Sequence, residues 1–336
     1  MLKKKILLIL FFILIFINSN CYASNEELQI TSNAAILIDA KNDKIIYEKN
    51  SNKKVYPAST TKILTAIIAL ENCSLNEVVT ASSTAINSLP AGYSNASIIE
   101  GENLTVEQLL TMFLIHSANE AGFILAEYIS GSTEAFAQKM NEKANELGCT
   151  NSNFTNPSGI HEDNHFSSAS DLAKIASYCM KNNTFRKIVS MKSCTIPATN
   201  KSTSRFYRNT NRLLQNGEYF YSSCIGIKTG FTSPAKNCLI SASNKDGIEL
   251  ICVVLGGDTT SNNKDTRYLD TINLFEYGYK NYSLKLVTNS IYYQTSFGKI
   301  LNTIYETKNN IEKSSHSEKI NNYLLIKLVD KISLFV

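Results

Sequence analysis

Ser59 and Lys62 lie three positions apart and have side chains that suit nucleophilic catalysis. A proline two positions earlier and the apolar run 63–70 predict that a helix begins here, which places both side chains on one helix face. A serine hydroxyl becomes a useful nucleophile when a base lies within hydrogen-bond reach, and burial lowers the pKa of a lysine enough for that role. Ser51 and Lys54 share this spacing in a polar stretch, so the alternative is a capped helix start with a surface lysine.

Ser117 and Asn119 form a second polar pair, between the end of one predicted helix and the start of the next. On an irregular turn both side chains can point into one cleft, where the serine relays a proton and the amide holds a peptide group. Ser-x-Asn also occurs at Ser74 and Ser261, so the alternative for this pair is a cap at a helix terminus.

Lys228, Thr229 and Gly230 end a predicted strand and form the only Lys-Thr-Gly in the chain. Lysine and threonine at a strand edge can bind a carboxylate, and glycine lets a ligand approach the backbone. The alternative is a strand that ends in an ordinary turn.

The segment 161–165 matches the His-Glu-x-x-His pattern of zinc peptidases, in which two histidines bind the metal and the glutamate acts as base. That pattern requires a helix, whereas Pro-Ser-Gly before the segment and Asp-Asn within it predict a turn. No helical candidate for a third ligand follows. A polar loop is therefore the favoured interpretation, and no metal or organic cofactor is expected.

The surrounding pattern predicts an α/β protein of the α+β type, with a central antiparallel sheet flanked by helices and a mostly helical subdomain. Two apolar runs, 34–38 and 44–47, flank a turn and predict a β-hairpin. Helical periodicity dominates residues 82–183. Short links, which exclude parallel crossovers, join three predicted strands at 224–228, 238–242 and 248–255. A last helix is predicted at 266–277, and strand-like alternation follows from residue 280.

The composition of the 336 residues, 43% of them hydrophobic, is that of a globular protein with a substantial core. Three charges of the formal net charge of +4 come from Lys3, Lys4 and Lys5. Without them the chain is nearly neutral, so no nucleic-acid partner is expected. Seven cysteines follow Cys21, and their odd number, wide spacing and apolar neighbours predict buried free thiols rather than a disulfide framework.

The two ends of the chain differ from its centre. Residues 1–23 combine lysines, an apolar run and a small-x-small cleavage site, which predicts a secretory signal; an uncleaved membrane anchor is the alternative. At the other end, residues 281–336 pass through a polar stretch to the apolar but charged segment 320–336. That segment is too short and too charged to span a bilayer, so it either lies on a membrane surface or docks on the protein.

Ser-x-x-Lys, Ser-x-Asn and Lys-Thr-Gly occur in the order that is typical of the penicillin-binding protein and serine β-lactamase superfamily. The chain resembles most closely the low-molecular-weight penicillin-binding proteins that act as D-alanyl-D-alanine carboxypeptidases. The resemblance covers about residues 33–280 and includes the stretches 57–66, 140–148, 156–159, 165–173, 209–211 and 226–232. It implies that residues 24–280 form a catalytic domain and that 281–336 are a shortened form of the family's C-terminal region.

The resemblance also implies roles for individual residues. Ser59 would attack the carbonyl between two terminal D-alanines of a peptidoglycan stem peptide, with Lys62 as base, and β-lactams would be covalent inhibitors. Ser117 would relay the proton and Asn119 would hold the acyl part. Lys228 and Thr229 would bind the terminal carboxylate, with Arg267 near the same pocket. The backbone N–H groups of Ser59 and of Phe231, which follows Gly230 on the strand, would bind the oxyanion. An extracytoplasmic location follows.

One position departs from the family pattern, because Lys236 stands where the family usually has glycine. Two other functions remain open. A class A β-lactamase shares the three motifs but needs a deacylating glutamate, and residues 183–228 contain no Glu-x-x-x-Asn. A penicillin-binding or cell-wall-binding module with an inactive site is the non-enzymatic alternative.

Overall fold

The computed structural model describes residues 28–294, with side chains described as far as residue 281. Contacts divide the chain into two units, Met1–Ile30 and Thr31–Val336, and every element below belongs to the second. The predicted signal segment 1–23 and the segment 320–336 lie outside the described residues. Within residues 28–294, no helix combines the length and the hydrophobicity that crossing a bilayer requires.

A five-stranded antiparallel sheet with the order β2-β1-β9-β8-β7 forms the centre of the fold, as the sequence predicts. Its strands are β1 (Ala34–Asp39), β2 (Ile45–Lys49), β7 (Cys224–Thr232), β8 (Lys236–Lys245) and β9 (Ile248–Gly257). Two small antiparallel pairs lie outside it, β3 (Val78–Thr80) with β4 (Asn103–Thr105), and β5 (Ser193–Ile196) with β6 (Arg205–Arg208).

The helical elements lie mainly between β2 and β5, where periodicity predicts them. They are α1 (Lys62–Asn72), α2 (Ser83–Asn87), α3 (Val106–Thr111), α4 (Asn119–Ser130), α5 (Thr133–Glu146), α6 (Ala169–Met180), α7 (Asn183–Val189) and α8 (Thr266–Gln294). The predicted last helix thus continues well beyond residue 277, and the strand-like alternation predicted from residue 280 is wrong as far as Gln294. Alternating apolar residues there are compatible with a helix, so local pattern alone misassigned them.

Helices cover both faces of the sheet, which is why β1 is buried along its whole length. Alternate residues of a strand point to opposite faces. Ile36 and Val253 join the large apolar cluster that contains α1 and α6, whereas Leu37 and Leu250 pack against α8. The helix approaches so closely that a Cβ at Gly278 would lie 2.7 Å from both leucine side chains. The sheet is therefore a rigid support for the residues at its β7 edge.

Candidate active site

Ser59 lies in a tight 3₁₀ turn, Ala58–Thr61, which leads directly into α1. The turn begins with Ala58 at a φ of +48°, a left-handed conformation that is costly for a residue with a Cβ. Gly159 packs against this turn, and a Cβ there would lie 1.9 Å from the carbonyl oxygen of Ala58. The serine is thus fixed by backbone contacts from a distant loop as well as by the helix that follows.

Lys62 begins α1, and its ammonium group meets three oxygen atoms. Nζ lies 2.9 Å from Ser59 Oγ, 2.6 Å from Asn119 Oδ1 and 2.6 Å from the backbone oxygen of Ser158. The side chain is fully buried. The i, i+3 contact that the sequence predicts is therefore present, and two more elements converge on the same nitrogen.

Burial lowers the pKa of Lys62 well below its ordinary value; the nearby charge of Lys228 lowers it further, and that of Glu120 opposes both. In the neutral form the amine has two N–H groups and one lone pair. The amide oxygen of Asn119 and the carbonyl of Ser158 can only accept, so they take both hydrogens. The lone pair then faces Ser59 Oγ, which is the arrangement a general base needs.

Ser117 and Asn119 lie where a helix is interrupted. A π-helical turn, Met112–His116, ends at Ser117, which has a φ of +66°, and α4 begins at Asn119. Both side chains line the same cleft as Ser59. Asn119 Nδ2 donates to the carbonyl of Ser94 at 2.7 Å, which leaves its second amide hydrogen for a ligand.

Glu120, which the sequence analysis did not single out, accepts hydrogen bonds from the backbone of the segment 96–98, close to the cleft residues Tyr93 and Ser94. Glu120 is 2% exposed, and its Oε1 accepts from the backbone N–H of Ala96 at 2.5 Å. Burial raises the pKa of Glu120, which these hydrogen bonds and Lys62 partly offset. The position directly after the Ser-x-Asn pair is the one signal in the sequence that could have drawn attention to it.

The Lys-Thr-Gly segment lies inside β7, at the edge of the sheet, because this strand runs to Thr232 and is longer than predicted. Lys228 is 1% exposed, and its Nζ donates to the backbone oxygen of Thr229 at 3.0 Å. Burial, and then the charge of Arg267, lowers the pKa of Lys228 to about 7. Thr229 Oγ1 lies 2.7 Å from Thr210 Oγ1, which fixes the hydroxyl beside the cleft.

Gly230 brings β7 against the nucleophile turn, since a Cβ there would lie 3.1 Å from the backbone nitrogen of Ser59. Arg267, at the start of α8, donates to the backbone oxygen of Gly230 at 3.0 Å and is paired with Asp265 at 2.7 Å. The Phe231 side chain is 62% exposed. The strand therefore presents its backbone, rather than a bulky side chain, to Ser59.

A cleft of about 570 Å³ joins these parts. The structure places all nine residues predicted for the site in or directly behind this cleft. Eight of them are buried or half-buried, and the exception is the exposed Phe231. Lys62 and Lys228 lie just behind the cleft surface, and the lining includes Ser59, Tyr93, Ser94, Ser117, Asn119, His161, Thr210, Arg212, Thr229, Gly230, Phe231, Arg267 and Tyr268.

The His-Glu-x-x-His segment is a loop rather than a helix, with a turn at 163–164 that the hydrogen bond from His165 N to Glu162 O closes at 2.9 Å. His165 is buried behind the nucleophile turn, where Nδ1 accepts from Thr155 N at 3.1 Å and Nε2 lies 2.8 Å from Thr61 Oγ1. Burial lowers its pKa to about 3, so the ring is neutral. In the described part of the chain, no cluster of histidine, cysteine and acidic side chains is arranged to hold a metal.

Comparison with known proteins identifies the family. The Peptidase S11 profile, described as D-alanyl-D-alanine carboxypeptidase, matches residues 21–259. The chain belongs to this family. The D-alanyl-D-alanine carboxypeptidase family is thus the one that the three motifs indicate, and that prediction is confirmed.

Individual family members give the extent of the similarity. The D-alanyl-D-alanine carboxypeptidase DacF of Bacillus subtilis is 36% identical over 249 residues, which are 73% of this chain and 63% of that relative. The chain thus spans less than two thirds of DacF. A D-alanyl-D-alanine carboxypeptidase of Streptomyces sp. strain K15 is 35% identical over 247 residues, 70% of this chain and 82% of the relative.

The fold is shared with a solved structure as well. The crystal structure of the Streptomyces K15 DD-transpeptidase is 33% identical and superposes with a TM-score of 0.69 over 75% of this chain and 98% of that one. The predicted fold class is therefore confirmed.

Proposed function

We propose that this chain is a serine D-alanyl-D-alanine carboxypeptidase that removes the terminal D-alanine from peptidoglycan stem peptides. The observation that carries the proposal is the contact of the buried Lys62 Nζ with Ser59 Oγ at 2.9 Å, beside two carbonyl oxygens at 2.6 Å. When the amine is neutral, those two oxygens accept its two hydrogens and its lone pair faces Ser59 Oγ. Family membership supplies the substrate class.

In the acylation step Ser59 Oγ attacks the carbonyl carbon between the two D-alanines and gives its proton to Lys62 Nζ. The backbone N–H groups of Ser59 and Phe231 stabilise the oxyanion, supported by the close approach of β7 to the nucleophile turn. The C–N bond then breaks, and a proton passes through Ser117 to the departing amine. The products are free D-alanine and an ester on Ser59.

The rest of the site orients the peptide. Lys228, Thr229 and Arg267 bind the carboxylate of the terminal D-alanine, and Asn119 holds the acyl part through its second amide hydrogen. Water then hydrolyses the ester on Ser59 and regenerates the enzyme. A β-lactam would acylate the same serine but leave slowly, because no Glu-x-x-x-Asn precedes β7 in residues 183–228.

The location and domain boundaries belong to the same proposal. Residues 1–23 direct export, 24–280 act outside the cytoplasmic membrane, and 320–336 contact the membrane surface. The composition of the two ends supports this.

Transfer of the acyl group to an amine instead of water is a second candidate. It is favoured by the similarity to the structure named DD-transpeptidase from Streptomyces K15. Both reactions share the ester on Ser59, so they differ only in the acceptor.

The test uses the purified protein with a labelled penicillin and, separately, with a peptide ending in D-Ala-D-Ala. We expect a stable adduct on the wild type by intact mass, release of D-alanine, and loss of both in Ser59→Ala. The control is Ser51→Ala, which alters the Ser-x-x-Lys formed by Ser51 and Lys54 and should keep both activities.

Other results would point elsewhere. An adduct that turns over rapidly would indicate a β-lactamase, and a transferred product in the presence of added glycine would indicate a transpeptidase. An adduct that persists in Ser59→Ala, or none on the wild type, would refute Ser59 as the nucleophile.

A further inference from the structure

Arg212 lies on the wall of the catalytic cleft and has no part in the mechanism described above. It begins a short 3₁₀ turn, Arg212–Leu214, that follows Asn211. Thr210, two residues earlier, contacts Thr229 of the Lys-Thr-Gly segment and lines the same cleft. The turn therefore places Arg212 near the part of the cleft where a carboxylate is expected.

Two buried tyrosine rings hold its guanidinium in place. The central carbon of the guanidinium lies 4.4 Å from the ring centroid of Tyr219 and 5.9 Å from that of Tyr268. The two rings stack on each other with centroids 4.8 Å apart, and each is at most 2% exposed. Stacking on aromatic faces fixes the plane of an arginine without using its N–H groups.

Those N–H groups are free for a ligand. With the residues described here, the guanidinium of Arg212 forms neither a hydrogen bond nor an ion pair, although it is exposed in the cleft. Arg267 differs, because it is paired with Asp265 and also donates to the backbone of Gly230. Of the two cleft arginines, Arg212 is the one with a planar, oriented and unused set of donors.

We propose that Arg212 is a specificity-determining residue that binds a carboxylate of the stem peptide through two parallel N–H donors. The inference rests on the proposed function, since it names a further contact of the same substrate. Two carboxylates fit this chemistry: that of the terminal D-alanine, and one carried by an acidic residue farther back in the peptide. Arginine suits either, because its fork matches the two oxygens of a carboxylate.

Three peptides separate these sources. The first, diacetyl-L-Lys-D-Ala-D-Ala, has only the terminal carboxylate. The second, L-Ala-γ-D-Glu-L-Lys-D-Ala-D-Ala, adds the α-carboxylate of glutamate, and the third has D-isoglutamine at that position. Release of D-alanine gives kcat/KM for the wild type, Arg212→Gln and Arg212→Lys.

We expect Arg212→Gln to lower kcat/KM by about 10-fold, the size of one charge-assisted contact at an exposed site, and Arg212→Lys to lose less. An equal loss on all three peptides identifies the terminal carboxylate, whereas a loss on the second peptide alone identifies the glutamyl one. The matched control is Arg208→Gln, which removes an exposed arginine of β6 that does not line the cleft. If Arg212→Gln and Arg208→Gln behave alike on all three peptides, the proposal is wrong.

Binding and stability measurements separate this proposal from its alternatives. Calorimetric titration of the same peptides into Ser59→Ala, with and without Arg212→Gln, measures affinity without turnover. An Arg212-dependent affinity in a protein whose wild type releases no D-alanine would uphold the carboxylate contact and refute the carboxypeptidase. A lower thermal midpoint for Arg212→Gln with unchanged affinity would show that the arginine only stabilises the tyrosine stack, which would overturn the proposal.

Discussion

Replacing Lys228 by methionine should stabilise the protein while abolishing its activity. Lys228 is fully buried, and its pKa of about 7 lies far below the ordinary value of 10.5 because of burial and the charge of Arg267. Methionine has a similar length and no charge, so it removes the cost of burying an ammonium group. It also removes the cation that is proposed to bind the substrate carboxylate.

The size and pH dependence follow from the two pKa values. A difference of about 3.5 pKa units corresponds to about 5 kcal/mol of unfavourable ionisation free energy in the folded state. Loss of the hydrogen bond to Thr229 O offsets about 1 kcal/mol, so a net gain of about 2–4 kcal/mol is expected at pH 6. Between pH 7 and 10.5 the unfolded chain binds more protons at this site, so the gain should shrink by about 1.4 kcal/mol per pH unit and reach zero between about pH 8.5 and pH 10.

Urea unfolding at pH 6, 8 and 10 measures this gain. Tyrosine fluorescence or circular dichroism suits the measurement, since the chain has 17 tyrosines and no tryptophan. Lys62 titrates in both proteins, and because the charge of Lys228 also lowers the pKa of Lys62, removing that charge acts in the same direction as the gain at low pH. Lys187→Met, at an exposed lysine of α7, is the control and should change stability little at any pH.

Two outcomes would refute the reasoning. A variant that is less stable than the wild type at pH 6 would show that the buried ammonium is stabilised rather than strained. A gain that stays constant from pH 6 to pH 10 would show that it comes from packing and not from ionisation.

Two further substitutions test backbone geometry. Gly159→Ala should disrupt the nucleophile turn, because the new Cβ would lie 1.9 Å from Ala58 O at a φ of +76°. The control Gly148→Ala has a similar φ of +74° but nothing within 4 Å of the new Cβ, so it should lower the free energy of unfolding by only about 1 kcal/mol. Equal falls in thermal midpoint for the two variants would contradict the close approach at Gly159. Lys236→Gly should raise the free energy of unfolding in urea by about 1 kcal/mol, because Lys236 has a strained φ of +58° and its ion pair with Asp258 is exposed and contributes little. An unchanged or lower urea midpoint would show that the backbone is not strained at this position.

The parts of the site that sequence predicted are those with short-range geometry. Ser59 and Lys62 meet because residues three apart on a helix share a face. Lys228 lies on a strand of an antiparallel sheet because the short links between the three strands exclude parallel crossovers. The departure at Lys236 was also visible in the sequence, and the structure shows its consequence as a left-handed residue at the start of β8.

The parts that sequence missed depend on long-range contacts. The carbonyl of Ser158 takes a hydrogen of Lys62 from 96 positions away, and a backbone group has no residue-type signal. The proposed role of Arg212 depends on the stacked rings of Tyr219 and Tyr268, which the fold brings against its guanidinium and which local sequence does not reveal. The length of α8 was missed because apolar alternation is ambiguous without knowing which face packs on the sheet.

The cysteines give the protein an intrinsic set of probes for its own unfolding. All seven in the described part are free thiols, and burial raises the pKa of each. At neutral pH they are almost entirely protonated, and an alkylating reagent can modify the four buried ones only when the surrounding structure opens. Cys179 in α6 and Cys252 in β9 are fully buried and should react only with whole-molecule opening. Cys73, at the end of α1, is partly exposed and should react with local fraying, so the order of modification would map the stability of the fold without any introduced label.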